Sequence, residues 1–158
     1  MRKECMSLLL QQMHNQPDII VLTADLGYGI LDTIKDTFPT RFYNVGAAEQ
    51  LLIGAAVGLA ENKFIPVCYS MSSFILYRPF EFLRNYVNAE NIPVKLIGSG
   101  RDKDYIHDGL SHWAEDDELV LRSLPNIKIY KPKDNNELER VFAEFLYSDE
   151  PCYLNLRR

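Results

Sequence analysis

Four consecutive apolar residues, Ile19-Ile20-Val21-Leu22, follow Pro17 without any polar alternation. Side chains along a strand point to opposite faces in turn, so an unbroken β-branched run of this kind must be covered on both sides. Further strands are expected at 64–69, at 93–97, from Ile127 to Tyr130 and from Cys152 to Leu156. A brief extended piece is expected from Arg41 to Val45. Between the runs lie stretches of helical length. Strands buried on both faces and separated by helices restrict the chain to an α/β architecture, since parallel strands need long crossovers and the crossovers cover the sheet. The predicted fold is a three-layer sandwich, a mainly parallel sheet flanked by helices.

Helices are predicted over residues 2–16, 30–37, 48–62, 73–89, 116–123 and 134–147, with Asp134 as N-cap of the last. The helix at 48–62 has almost no polar face, which predicts burial all round. Its Gly54 and Gly58 stand four apart and predict a close approach by another backbone. Pro79 predicts a kink or a late start in the helix at 73–89. The stretch from Gly98 to Trp113 shows neither period, and a loop of that length in a compact domain is usually functional.

Composition removes several function classes. At 158 residues with 47% hydrophobic side chains, the chain suits one folded domain with a substantial core. A net charge of −5 without any Lys/Arg block gives no footprint for nucleic acid or an anionic membrane. No apolar run is long enough to span a bilayer, and the N-terminus does not have the form of a signal peptide. Cys5, Cys68 and Cys152 are too widely spaced for a Cys-x-x-Cys site, so a reduced, cytoplasmic setting is expected and no metal ligands are assigned.

Three local patterns could carry chemistry. Gly27-Tyr28-Gly29 follows a strand, but the third position of a dinucleotide fingerprint is Asp32, whose charge would oppose a pyrophosphate; a turn is the better reading. Gly46-Ala47-Ala48-Glu49-Gln50 places a carboxylate at the start of an apolar helix. The helix dipole favours that anion by about 0.3–1 kcal/mol, whereas burying a charge costs several kcal/mol. A buried Glu49 is therefore suited to share a proton with a ligand nitrogen, and a surface Glu49 is only a first-turn acid. Phe74, Tyr77 and Phe80 form an aromatic stripe at helical spacing, which a core explains as readily as a cofactor platform. His107 and Asp108-Gly109-Leu110-Ser111-His112 concentrate titratable groups in the long loop.

Taken in order, these pieces resemble transketolases and deoxyxylulose-phosphate synthases. Arg41 to Gln50 looks like their Arg-Phe-x-x-x-Gly-x-x-Glu-Gln/His segment, and Ala24-Asp25-Leu26 like their Ala-Asp-Leu. Asp108 to His112 resembles their Asp-Gly-x-Thr/Ser-His, and Leu121 to Asn126 their Arg-Ser-Leu/Ile-Pro-Asn. The resemblance runs along residues 2–158 and concerns one domain, the pyrimidine-binding domain of thiamine-diphosphate enzymes. It implies that Glu49 hydrogen-bonds the aminopyrimidine of thiamine diphosphate and takes part in catalysis with His112. It further implies that Asp25, Leu26, Met71, Phe74 and Tyr77 line the cofactor, and that Arg2, His107, Asp108, His112 and Arg158 face the substrate.

The departures are as informative. Met71 replaces an aromatic residue, Gly29 stands where many members have a phosphate-binding serine, and Gly100 lies near a family histidine, which thins the phosphate site. Gln50 is nearer the synthase branch. The Gly-Asp-Gly motif of the diphosphate domain does not occur. The resemblance therefore implies that a partner subunit carries the diphosphate domain and Mg2+, in a homodimer or an α2β2 heterotetramer, with helix 48–62 in the contact. It fits the C-terminal subunit of a split transketolase, or a piece of a longer subunit, acting on sugars or sugar phosphates. Decarboxylating ligation and a non-catalytic binding module are the alternative functions.

Overall fold

The computed structural model describes residues 1–158. Six strands form one sheet, β1 (Ile19–Thr23), β2 (Phe42–Asn44), β3 (Ile65–Met71), β4 (Lys95–Ser99), β5 (Lys128–Tyr130) and β6 (Cys152–Leu156), in the order β2-β1-β3-β4-β6-β5. Every pairing is parallel, so the expectation of a mainly parallel sheet is met in full. The helices are α1 (Arg2–Asn15), α2 (Asp32–Thr37), α3 (Glu49–Glu61), α4 (Ser72–Tyr77), α5 (Phe80–Phe82), α6 (Asp117–Arg122) and α7 (Asn135–Tyr147).

The unbroken apolar runs serve both faces of the sheet. On one side Ile19 and Val21 of β1 pack with α1, α2 and α7 through Leu9, Met13, Ile34, Phe142 and Phe145. On the other, Ile20 and Leu22 pack with α3 and α4 through Leu52, Ile53, Ala56 and Ile75. At about 25 cal/mol per Å² of apolar surface, these two layers supply most of the favourable folding energy. Asp134 caps α7 as expected: its side chain accepts from the Glu137 amide at 2.9 Å, and Glu137 in turn accepts from the Lys133 amide at 2.8 Å.

Three sequence expectations need correction, and one is met. The helix expected over 73–89 is interrupted where Pro79 predicts a kink: α4 ends at Tyr77, and α5 runs into a wide helical turn of π type over Leu83–Asn88. The strand expected at 93–97 is shifted to Lys95–Ser99, because Pro93 has no N–H to donate while Gly98 and Ser99 still pair with Asn155 and Leu156. Helix 48–62 is not buried all round: Leu52, Ile53, Ala56 and Ala60 face the sheet, while Leu51 is 58% exposed and Gly58 is open. Gly54 makes room for the Phe82 ring, and a side chain at Gly58 would meet nothing. The long loop is not wholly irregular: it holds two 3-10 turns, Ile106–Asp108 and Leu110–His112, and an isolated bridge from Asp102 to Ala114.

Candidate functional site

From β1 the chain moves to β2 on one side, and β3 then returns to the other, so a crevice opens where the carboxyl ends of β1 and β3 diverge. The ends of the strands are tied there by side chains. Thr23 donates to the carbonyls of Leu26 at 2.9 Å and Tyr69 at 3.1 Å. Asn44, at the end of β2, accepts the amides of Asp25 at 2.9 Å and Gly46 at 3.0 Å. Asp25 is thereby held in the left-handed region at φ +54°, a strained conformation for a residue with a side chain. Its exposed carboxylate accepts from the Tyr28 hydroxyl at 2.6 Å, and this bond, with Asn44, holds the carboxyl below its usual range.

Glu49 opens α3 and is 3% exposed. Its Oε1 accepts from Arg78 Nη1 at 2.7 Å. The Arg78 guanidinium lies over the face of Phe74, 3.5 Å from the ring centre. Phe74 and Arg78 are four residues apart on α4 and its C-cap, so they share a helix face. A flat cation thus fills the gap between a buried carboxylate and an aromatic ring. Weighing burial against the helix dipole left this ion pair out. Arg78 was missed although its spacing from Phe74 could have revealed it. Asn44 was missed because nothing local shows which amides a strand-end asparagine will reach.

The long loop closes over the same edge. Ser73 at the start of α4 donates to the Ser111 carbonyl at 2.8 Å, and Ser111 Oγ is 2.9 Å from His112 Nδ1. The His112 ring stands edge-on to Phe74 at 4.9 Å and 6.4 Å from Tyr105. Phe74, Tyr77 and Arg78 line a cleft of about 360 Å³ together with Leu110, Trp113 and Asp116. Desolvation, then Asp116, pushes the Tyr77 hydroxyl above its usual range. Met71, Leu26 and Arg2 line a smaller cavity of about 140 Å³ with Tyr105, whose hydroxyl accepts from Arg2 at 3.0 Å. The Arg158 guanidinium lies over the Tyr105 ring. Glu49, Phe74, Met71, Leu26, His112, Arg2 and Arg158 therefore fall along one edge, linked by successive contacts. His107 and Asp108 are exposed in the first 3-10 turn of the loop.

Behind the loop is a buried polar network. Arg101, 4% exposed, donates to Asn155 Oδ1 at 2.7 Å and to the carbonyls of Asn155 at 2.6 Å and Pro132 at 3.0 Å. Asn155 Nδ2 donates at 2.5 Å to Asp117, whose carboxyl is pushed upward mainly by desolvation. These bonds lock the start of the loop and α6 to the central strands.

The whole chain, residues 1–158, matches the family model described as the transketolase pyrimidine-binding domain. The chain belongs to that family. It is 32% identical, over its full length, to a putative transketolase C-terminal section of Methanocaldococcus jannaschii, covering 50% of that protein. It is 30% identical to the 6-deoxy-6-sulfo-D-fructose transketolase subunit SqwH of a Clostridium species, again over the full chain and 49% of the relative. Among solved structures, a split gene transketolase in an inactive beta4 tetramer superposes with a TM-score of 0.87 at 30% identity, over 99% of this chain and 50% of that one. The pyrimidine-domain chain thus spans about half the length of these relatives. No helix in it is long and apolar enough to cross a membrane.

Proposed function

We propose that this chain is the pyrimidine-binding half of a split, thiamine-diphosphate-dependent enzyme that transfers a two-carbon ketol unit between sugars or sugar phosphates. One observation carries the reading: the buried Glu49 carboxylate faces Phe74 across a gap already filled by a flat, N–H-bearing cation. An aminopyrimidine has the same flatness, and its ring nitrogen accepts the proton that a buried carboxyl can offer, so the residues fit it. Glu49 would bond the ring nitrogen and Phe74 would stack on the ring face, the stacking worth about 0.5–1.5 kcal/mol beyond area burial. Arg78, half exposed, swings outward to admit the ring.

When bound, thiamine diphosphate supplies a carbon nucleophile and an electron sink for the two-carbon fragment. The residues of this chain supply position and proton control. Glu49 would pass a proton to and from the ring nitrogen, away from water. Asp25, Leu26, Met71 and Tyr77 shape the walls around the cofactor. His112, oriented by Ser111, moves a proton at a substrate hydroxyl. His107 and Asp108 reach substrate hydroxyls from the loop, and Arg2 and Arg158 close the far end of the cleft.

The diphosphate and Mg2+ belong to a partner subunit in an α2β2 assembly. The names of two relatives, one a C-terminal section and one a split-gene product, support a divided enzyme. The open stripe of α3, Leu51 and Gly58, is the proposed contact. The reading is tested by mixing this chain with a diphosphate-domain partner, thiamine diphosphate and Mg2+, then assaying ketol transfer. Transfer is expected, and Glu49→Ala should lower it by about 10²–10⁴-fold, the usual worth of a positioned acid–base group. Undiminished turnover in that variant would sink the mechanism.

A further inference from the structure

The end of the cleft beyond His112 is cationic and self-occupied. Arg2 and Arg158 both approach Tyr105, the first through Nη1 on the phenol oxygen at 3.0 Å, the second 5.0 Å from the ring centre. The ion pairs of this region are made instead by Arg157, to Asp102 at 3.2 Å and Asp104 at 3.5 Å. Two guanidiniums thus face the Tyr105 phenol, and the buried Tyr69 hydroxyl lies beside Arg2 and Ser99 in the same cavity. Paired guanidiniums bind a carboxylate or a phosphate through charge-assisted, bidentate bonds about twice as strong as neutral ones. The phenol oxygen accepts where such an anion would accept, and Ser99 Oγ lies 3.3 Å from the same oxygen.

Tyr105 is fixed in that place by a glycine. A Cβ at position 100 would lie 2.3 Å from a Tyr105 ring carbon, and Gly100 is at φ +87°. Any side chain at 100 would evict the ring. The turn that carries the ring is closed by the Asp108 amide on the Tyr105 carbonyl at 3.1 Å. Beside the ring the cavity is only about 140 Å³.

We infer that Tyr105 is a specificity-determining residue, its ring and hydroxyl filling the anion position between Arg2 and Arg158 so that the cleft takes ketoses ending in a hydroxyl over ketoses ending in a phosphate. The substrate part of this inference rests on the ketol-transfer reading. The occupation of the anion position does not, which allows two separable tests.

The first test titrates inorganic phosphate into the full chain at constant ionic strength, followed by calorimetry or phosphorus NMR. Tyr105→Ala is expected to bind phosphate at least tenfold more tightly than the unchanged protein, and Arg2→Met should abolish that gain. Tyr105→Phe keeps the ring but frees the Arg2 donor, and should fall between the two. Equal phosphate affinity in all three Tyr105 forms, or a gain that survives Arg2→Met, overturns the assignment. Circular dichroism checks folding, and the Phe variant keeps the test decisive if the Ala variant unfolds. The second test uses the assembled enzyme. The ratio of kcat/KM for a phosphorylated over an unphosphorylated donor should rise at least tenfold in Tyr105→Ala, and an unchanged ratio overturns the specificity role. Absence of transfer with every donor counts against the proposed function, while the phosphate titration still decides the role of Tyr105.

Discussion

The two edges of the same sheet treat polar groups in opposite ways. At the amino edge, Lys95 opens β4 at 1% exposure and its ammonium donates to the carbonyls of Ser148 at 2.6 Å and Glu150 at 2.7 Å. Those bonds join β4 to the turn before β6 and leave the charge no other task. The cavity there, about 470 Å³, is larger than either at the carboxyl edge, yet Lys95 is bonded to backbone and held for stability. At the carboxyl edge, Glu49 is buried against a single side chain that is itself half exposed, Asp25 is strained, and Arg2 spends a donor on a phenol. Polar groups satisfied by backbone cannot be exchanged for a ligand, whereas groups satisfied by mobile side chains can.

Breaking this contrast should separate activity from stability. The largest effect is expected for Glu49→Ala, a loss of transfer of about 10²–10⁴-fold with a folding stability that denaturant titration finds little changed. The reverse is expected for Lys95→Met: about 1–3 kcal/mol of stability lost, because two buried carbonyls lose their donor, with cofactor-dependent turnover retained in the assembled enzyme. Stability lost by Glu49→Ala and turnover lost by Lys95→Met would erase the distinction. Lys95 also has a pH signature. Desolvation depresses its folded pKa below the ordinary lysine value, so its contribution is most favourable above that ordinary value and is lost as pH falls through the folded one. The melting-temperature gap between the unchanged protein and Lys95→Met should therefore change between the depressed folded value and the ordinary lysine value, and stay flat above the latter.

Asp117 sharpens the picture from behind the loop. Its folded pKa is raised, so it contributes fully below the ordinary aspartate value and loses that contribution as pH rises through the folded pKa. Asp117→Asn should accordingly gain stability relative to the unchanged protein at neutral pH, and the gain should shrink toward pH 4, as thermal melts across that range would register. The smallest effect is expected at Asp25. Tyr28→Phe removes the main cause of its lowered titration, so NMR should find the carboxyl titrating nearer its ordinary range, with stability changed by less than about 0.5 kcal/mol.

How much of this was legible depended on the length scale of the cause. Ile19 to Leu22 announced a two-sided strand because burial on both faces leaves no polar alternation, whereas Lys95 and Asn155 interrupt the equally buried β4 and β6. Pro79 announced a break because the missing N–H and the ring act locally. The open face of α3 was hidden, since an apolar helix is the same string of residues whether the chain or another subunit covers it. The Glu49–Arg78 pair spans 29 positions and Arg2–Tyr105 spans 103, and no local period encodes contacts of that reach.

By itself, the sequence determined the class of fold, the order of its elements and the family, because burial and hydrogen-bond demands act within each segment and the motifs stand in one line. Only the tertiary structure decided that Glu49 is buried against a guanidinium, that Tyr105 stands between two arginines, and which edge of the sheet holds exchangeable contacts. The physical reason is that strands and helices form from neighbours along the chain, while a site forms where segments far apart in sequence are brought together, and its charges are set by partners that only the packing supplies.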